Sequence, residues 1–250
     1  MLIQWFPGHM AKTKRLIIEH LKAVDVAAEL LDARIPLSSA NPMVEELLSG
    51  KPRIVILTKA DLADPGMTKA WESYYKRKGV AAVSMSCGNG KDKKKFLRLI
   101  KEAAGPMLEK WKLRSLKTRS VRIMILGIPN VGKSTLINFI SGTAAARTAN
   151  TPGHTRGKQW VRLSQGLDLL DTPGVLWPKF EDQEVGKKLA FIGSIKDEIL
   201  QTEELSTELI KFLNAEYAGV LEEKYSIEHL EDVYAVSYTH LRAHETLSDL

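Results

Sequence analysis

Cysteine is almost missing from this chain: Cys87 stands alone among 250 residues. No intrachain disulfide can form, and a reducing compartment is the expected setting. Long apolar runs are missing too, and none approaches the roughly 18 residues that carry a helix across a bilayer. Met1 to His9 lacks the basic-then-apolar layout of a secretory signal. Aromatics are sparse at 7%, with 44% hydrophobic and 26% charged residues. That is the composition of an ordinary globular protein with one sizeable core and room for a smaller appendage. The expectation is a cytoplasmic monomer with no membrane partner.

Acidic residues are scarce in the first three quarters of the chain. Met1 to Gly193 carries 32 Lys and Arg against 17 Asp and Glu, a surplus of fifteen, whereas Ser194 to Leu250 carries 4 against 13, a deficit of nine. A basic body suits a polyanion such as RNA, although a solvated basic surface gives the same count. Lys91, Lys93, Lys94, Lys95, Lys112, Arg114, Lys117 and Arg119 form the densest group.

Short apolar runs at Val24–Leu31, Arg53–Leu57, Val80–Ser84, Val121–Leu126 and Leu167–Leu170 suit strands buried on both faces. Helical patterns such as Met67–Lys78 and Lys94–Ala103 alternate with them. Such alternation predicts an α/β fold, a mostly parallel sheet with helices on both faces. Leu108 to Ser120 reads as a linker or a solvated helix. The organisation expected is one α/β domain over residues 1–190 and a partial helical domain over 191–236, with apolar Leu205, Leu209, Phe212 and Leu213. The last stretch, 237–250, fits nothing before it and resembles translated adapter sequence, so no function is assigned to it.

Gly127-Ile-Pro-Asn-Val-Gly-Lys-Ser134 matches the phosphate-loop pattern G-x-x-x-x-G-K-[ST], between a predicted strand and the helical run Thr135–Ile140. Its glycines let backbone N–H groups face phosphates, and the helix start adds a positive dipole end. Asn130, Val131, Gly132, Lys133, Ser134 and Thr135 are the candidate phosphate contacts. Lys133 reaches the β- and γ-phosphates, and Ser134 ligates Mg²⁺. Asp171-Thr-Pro-Gly174 ends the next strand and supplies Asp171 for Mg²⁺ and the Gly174 N–H for the γ-phosphate. Between them, Thr151-Pro-Gly-His-Thr155 offers a threonine able to close on Mg²⁺. Thr155 is the candidate, Thr151 the rival, and a plain turn at Pro152-Gly153 the third reading.

Thr58-Lys-Ala-Asp61 is similar to the N-K-x-D loop by which GTPases select guanine. Asp61 can accept from guanine N1–H and the exocyclic amine, a donor pair that adenine lacks. Lys59 would lie along the base, while Thr58 stands where asparagine is usual. Asp61 as a helix cap is the competing reading. Ser84-Met-Ser86 resembles the following base-side loop, usually S-A-K, through its serine. Here the base loops precede the phosphate loops, reversing the usual order, and each loop follows a strand. A circular permutation keeps that geometry, because ligands bind at the strand ends wherever the chain is cut.

Trp5-Phe-Pro-Gly-His-Met10, Asp32-Ala-Arg-Ile-Pro36, the phosphate loop and Asp171-Thr-Pro-Gly-Val-Leu-Trp-Pro-Lys-Phe180 together resemble the YlqF/RbgA family of circularly permuted GTPases, over about Ile3 to Ala235. The resemblance implies GTP binding and hydrolysis late in maturation of the large ribosomal subunit, with ribosomal RNA as partner. Many GTPases place glutamine after D-x-x-G to orient the attacking water, and here that position is Val175. The resemblance assigns this work to the motif histidine, His9, although His9 as a helix cap or an RNA contact is the alternative. In related phosphate loops an asparagine placed like Asn130 helps to hold K⁺. A nucleotide-gated RNA-binding module with negligible turnover is a second reading. A P-loop ATPase or small-molecule kinase is a third, against which Asp61 argues.

Overall fold

Five of the six strands fall on the apolar runs. The computed structural model describes residues 8–48, 50–88, 90–114, 119–143, 159–163, 166–177 and 180–225, with side chains described for all of these except 8–13, 159 and 197. In chain order the elements are α1 (Gly8–Leu21), β1 (Val26–Asp32), α2 (Pro36–Ser39), α3 (Pro42–Leu47), β2 (Arg53–Thr58), α4 (Pro65–Arg77), β3 (Ala81–Ser84), α5 (Gly90–Leu113), β4 (Val121–Gly127), α6 (Lys133–Ser141), β5 (Gln159–Leu163), β6 (Leu167–Asp171), α7 (Gln183–Phe191), α8 (Thr202–Glu216) and α9 (Val220–Tyr225). A 3₁₀ turn, Ala60–Leu62, lies between β2 and α4.

The six strands form one sheet in the order β3-β2-β1-β4-β6-β5. All neighbours run parallel except β5, which pairs antiparallel with β6. This is the α/β architecture expected. Every residue of β1 is buried, as a central parallel strand requires. β3 is only half-buried because it lies at an edge. β5 had no counterpart among the predicted strands. In Gln159-Trp-Val-Arg-Leu163, Val161 is buried while Trp160 and Arg162 are exposed, as in a one-sided edge strand rather than a continuous apolar run.

On one face α1 and α3 bury Ile17, Leu21, Met43 and Val44 against Ala27, Met124, Leu126 and Leu170. On the same face Tyr75 of α4 packs on Leu31, Val55 and Leu57. Strand alternation turns Ile54, Ile56, Ile123 and Ile125 to the other face, where buried Phe96 and Ile100 of α5 and Leu136 and Ile137 of α6 cover them. α5 runs through Pro106, ten residues past its predicted end at Ala103. The stretch from Leu108 is therefore helical up to Leu113.

The chain divides into two compact units between Glu181 and Asp182. α7 thus falls in the second unit. There Asp182 caps α7 by accepting the Glu184 N–H at 2.8 Å. Lys187 joins α7 to α8 through Glu208 at 2.9 Å and also pairs with Glu184. α8 places Glu203 and Glu204 in its first turn, where the helix dipole favours them, and none of its residues is fully buried. Among the described residues no helix is long and apolar enough to cross a membrane.

Candidate nucleotide-binding site

Chain direction reverses its sideways march at β1 and β4. From β1 the chain adds β2 and β3 on one side, and from β4 it adds β6 and β5 on the other. The crevice at the strand ends beside such a switch point is where open α/β sheets take ligands. Asp32, Thr58, Ser84, Gly127 and Asp171 each end a strand at this one edge.

The phosphate loop leaves β4 through three residues with left-handed backbones, Gly127 at φ 151°, Asn130 at φ 55° and Gly132 at φ 101°. A Cβ on Gly127 would lie 2.7 Å from the Leu30 carbonyl oxygen, so the position excludes every side chain. The loop wraps the Lys133 ammonium, which donates to the carbonyls of Ile128 at 2.7 Å and Gly127 at 3.3 Å. Burial, reinforced by the nearby Lys59 charge, lowers the Lys133 pKa to about 8, even though the Asp171 charge opposes the shift. Phosphates arriving beside Lys133 stabilise its charged form. Binding of Mg·GDP at pH 8 is therefore expected to take up about half a proton, falling towards zero near pH 6 where Lys133 is already charged. Calorimetry in two buffers of different ionisation enthalpy measures this directly, and no uptake at pH 8 would contradict the lysine's placement.

Ser134 opens α6 and donates from Oγ to Asp171 Oδ2 at 3.2 Å. The other oxygen, Asp171 Oδ1, is buried with no hydrogen-bond partner. Burial pushes the Asp171 carboxyl pKa up, against the pull of Lys133 and Ser134. A buried, underused carboxylate oxygen beside a serine hydroxyl is a donor set for a hard, oxygen-seeking cation, and Mg²⁺ fits it. Thr172 Oγ donates to the Ile125 carbonyl at 2.6 Å and fixes the strand end that carries this aspartate. Two residues on, a Cβ built on Gly174 would lie 2.6 Å from Pro129 N and Cα, so the D-x-x-G turn rests directly on the phosphate loop. Gly174 is glycine because of this approach, not because of its φ.

On the base side, Lys59 has a left-handed backbone at φ 55° and starts the 3₁₀ turn that carries Asp61. The N-cap of α4 is Asp64, whose carboxylate accepts the Met67 N–H at 2.7 Å. That occupies the capping role weighed for Asp61, which stays exposed. Thr58 is buried, and its hydroxyl lies 2.6 Å from the Val131 carbonyl and 3.0 Å from that of Leu31. The threonine in place of asparagine thus ties the base loop to the phosphate loop.

Asp32 was legible only as part of a motif without a role. It is fully buried, and its carboxylate accepts from the Arg34 guanidinium at 2.8 and 2.7 Å and pairs with Lys59 at 3.0 Å. Burial alone would raise its pKa, but Arg34 and Lys59 outweigh it and hold the carboxyl below its usual range. A carboxylate closing an apolar strand next to arginine was the available signal.

Ser84 and Ser86 reach the same edge with their main-chain donors already occupied. The Ser84 N–H donates to Glu72 at 2.6 Å and the Ser86 N–H to Asp92 at 3.0 Å. Donation from these two residues to a base would have to come from their hydroxyls. His9 lies in the first turn of α1, and its side chain is outside the described residues. Thr151 and Thr155 are also outside them. Val175 is buried in the core, with no side-chain group to orient water.

The basic group divides. α5 puts Lys91–Lys95 at one end and Lys112 and Arg114 at or just past the other, about 30 Å apart at 1.5 Å per residue. Lys95 pairs with Asp92 at 3.2 Å. Arg119 pairs with Asp25 at 2.8 Å and stacks over Trp111 at 4.7 Å. Lys117 lies outside the described residues. The described members of the group thus fall at the two ends of α5.

A phosphate loop and a T-K-x-D loop at the same edge of the sheet, on strands that flank β1, with the base loops first in the chain, define a circularly permuted P-loop GTPase domain. Residues 122–234 match the family described as 50S ribosome-binding GTPase. Ribosome biogenesis GTPase A of Bacillus licheniformis is 44% identical over 95% of this chain and 84% of its own length. Mitochondrial ribosome-associated GTPase 1 of Xenopus tropicalis is 37% identical over 90% of this chain and 74% of its own. Among solved structures, the GNP-bound YlqF of T. maritima aligns with a TM-score of 0.60 and 28% identity, covering 82% of this chain and 75% of that one. The chain belongs to the ribosome biogenesis GTPase A (YlqF/RbgA) family.

Proposed function

We propose that this protein binds GTP with Mg²⁺ and hydrolyses it to time a late step in large ribosomal subunit assembly, in the cytoplasm and in contact with ribosomal RNA. The observation that carries the proposal is the joining of base and phosphate loops at one strand edge, through Thr58 and Val131, in a chain 44% identical to a ribosome biogenesis GTPase. Asp61 and Lys59 recognise guanine. Val131, Gly132, Thr135 and their neighbours present N–H groups to the phosphates, with Lys133 on the β- and γ-phosphates and the Gly174 N–H at the γ-phosphate. Ser134 and Asp171 hold Mg²⁺, joined by Thr155 when GTP is bound. Bound there, Mg²⁺ would supply positive charge to offset that of the phosphates. His9 orients the attacking water, since Val175 cannot. Asn130 contributes to a K⁺ site, and equal turnover in sodium and potassium buffers would remove that assignment.

The buried Val175 favours a second reading, an RNA-binding module gated by nucleotide with negligible turnover. Co-sedimentation with large ribosomal subunits tests the ribosomal part shared by both readings. Binding that is stronger with a nonhydrolysable GTP analogue than with GDP is expected, and no binding in either state would sink it.

A further inference from the structure

Val175 stands where many GTPases carry a water-positioning glutamine, and in this protein it is an anchor. Its N–H donates to the Gly127 carbonyl at 3.2 Å. Its carbonyl accepts from Asn41 Nδ2 at 2.9 Å, a buried bond spanning 134 residues of sequence. Its side chain sits in the same buried cluster as Met43 and Val44 of α3.

Asn41 itself is buried, with both ends of its side-chain amide engaged. It is 1% exposed, and its Oδ1 accepts the Met43 N–H at 3.0 Å as the N-cap of α3. Glu29, a buried acid on β1 that pairs with Arg53, feels the Asn41 main chain only weakly. The donor that reaches Val175 is therefore held by the cap of α3.

We infer that Asn41 is a positioning residue that pre-sets Gly174 for the γ-phosphate by holding the next residue, Val175, through its carbonyl. This rests on the GTPase reading above, in which Gly174 meets the γ-phosphate. Gly174 is then trapped between Pro129 and an anchored Val175, and GTP binding need not order the segment. GDP makes no demand on Gly174. Losing the Asn41 donor should weaken binding of the triphosphate alone.

The amide oxygen and the amide nitrogen do different work, so they can be separated. Asn41→Ser keeps a side-chain oxygen for the cap, at which serine ranks with asparagine, and loses the longer amide donor that reaches Val175. Asn41→Asp keeps the cap and the size and also loses the donor. The measurement is the Kd of Mg·GDP and of Mg·guanosine 5′-(β,γ-imido)triphosphate for the full chain and for whichever of these variants folds. About a tenfold loss of affinity for the imido analogue, the scale of one buried hydrogen bond, with GDP affinity unchanged is expected. A wild-type ratio of the two affinities in either folded variant, or an equal loss for both nucleotides, would overturn the inference. Failure of the GTPase reading looks different: the unsubstituted protein would then bind neither nucleotide.

Discussion

Asp61→Asn is expected to cost about 10⁴-fold in GTP affinity while creating affinity for xanthosine nucleotides. The size follows from a site built around two hydrogen bonds to one base edge, where the wrong pairing leaves polar groups unsatisfied. Guanine presents N1–H and an exocyclic amine, both donors, to a carboxylate that only accepts. An asparagine amide offers one acceptor and one donor, which suits xanthine, with its carbonyl in place of the amine. The fold should survive the change, because Asp61 is exposed in its 3₁₀ turn and Asp64 caps α4. Competition binding with GDP and xanthosine diphosphate measures the switch. Undiminished GDP affinity would mean that Asp61 does not touch the base.

His9→Ala should lower subunit-stimulated GTP turnover by about 10²-fold or more, the usual scale for a group that orients or deprotonates the reacting water. Affinity for GDP should stay as it was, because His9 belongs to the turn entering α1 and not to the base or phosphate loops. Val175 sharpens the test. Its backbone and side chain are all engaged in anchoring, so it leaves no substitute for the missing histidine. Single-turnover hydrolysis with bound nucleotide separates the chemical step from binding. Unchanged turnover would return His9 to the role of a helix cap or RNA contact.

Much of this site was legible because phosphate loops depend on backbone shape, and backbone shape leaves its mark in glycine and in strand-loop-helix order. The run from Gly127 to Ser134 and the aspartate at 171 could be placed before any coordinate was known. The base loop was legible through Asp61 for a chemical reason, since few residues can read guanine's two donors. Thr58 was harder. The sequence showed only that asparagine was absent, whereas the buried hydroxyl turns out to tie two loops separated by 73 positions. Asp32, Asn41 and Glu72 act through long-range hydrogen bonds that no local pattern encodes. β5 was missed because an edge strand needs only one apolar face. The basic residues are dense in sequence, and a 24-residue helix sets the described ones towards its opposite ends.

The most direct test of the account is GTP hydrolysis by the purified protein with and without large ribosomal subunits. The account predicts slow turnover alone and stimulation of about a hundredfold or more at saturating subunits, as the water-orienting group is brought into place. Tight guanine-nucleotide binding with the same slow turnover at saturating subunits would contradict it, and would leave a nucleotide-gated binding module in its place.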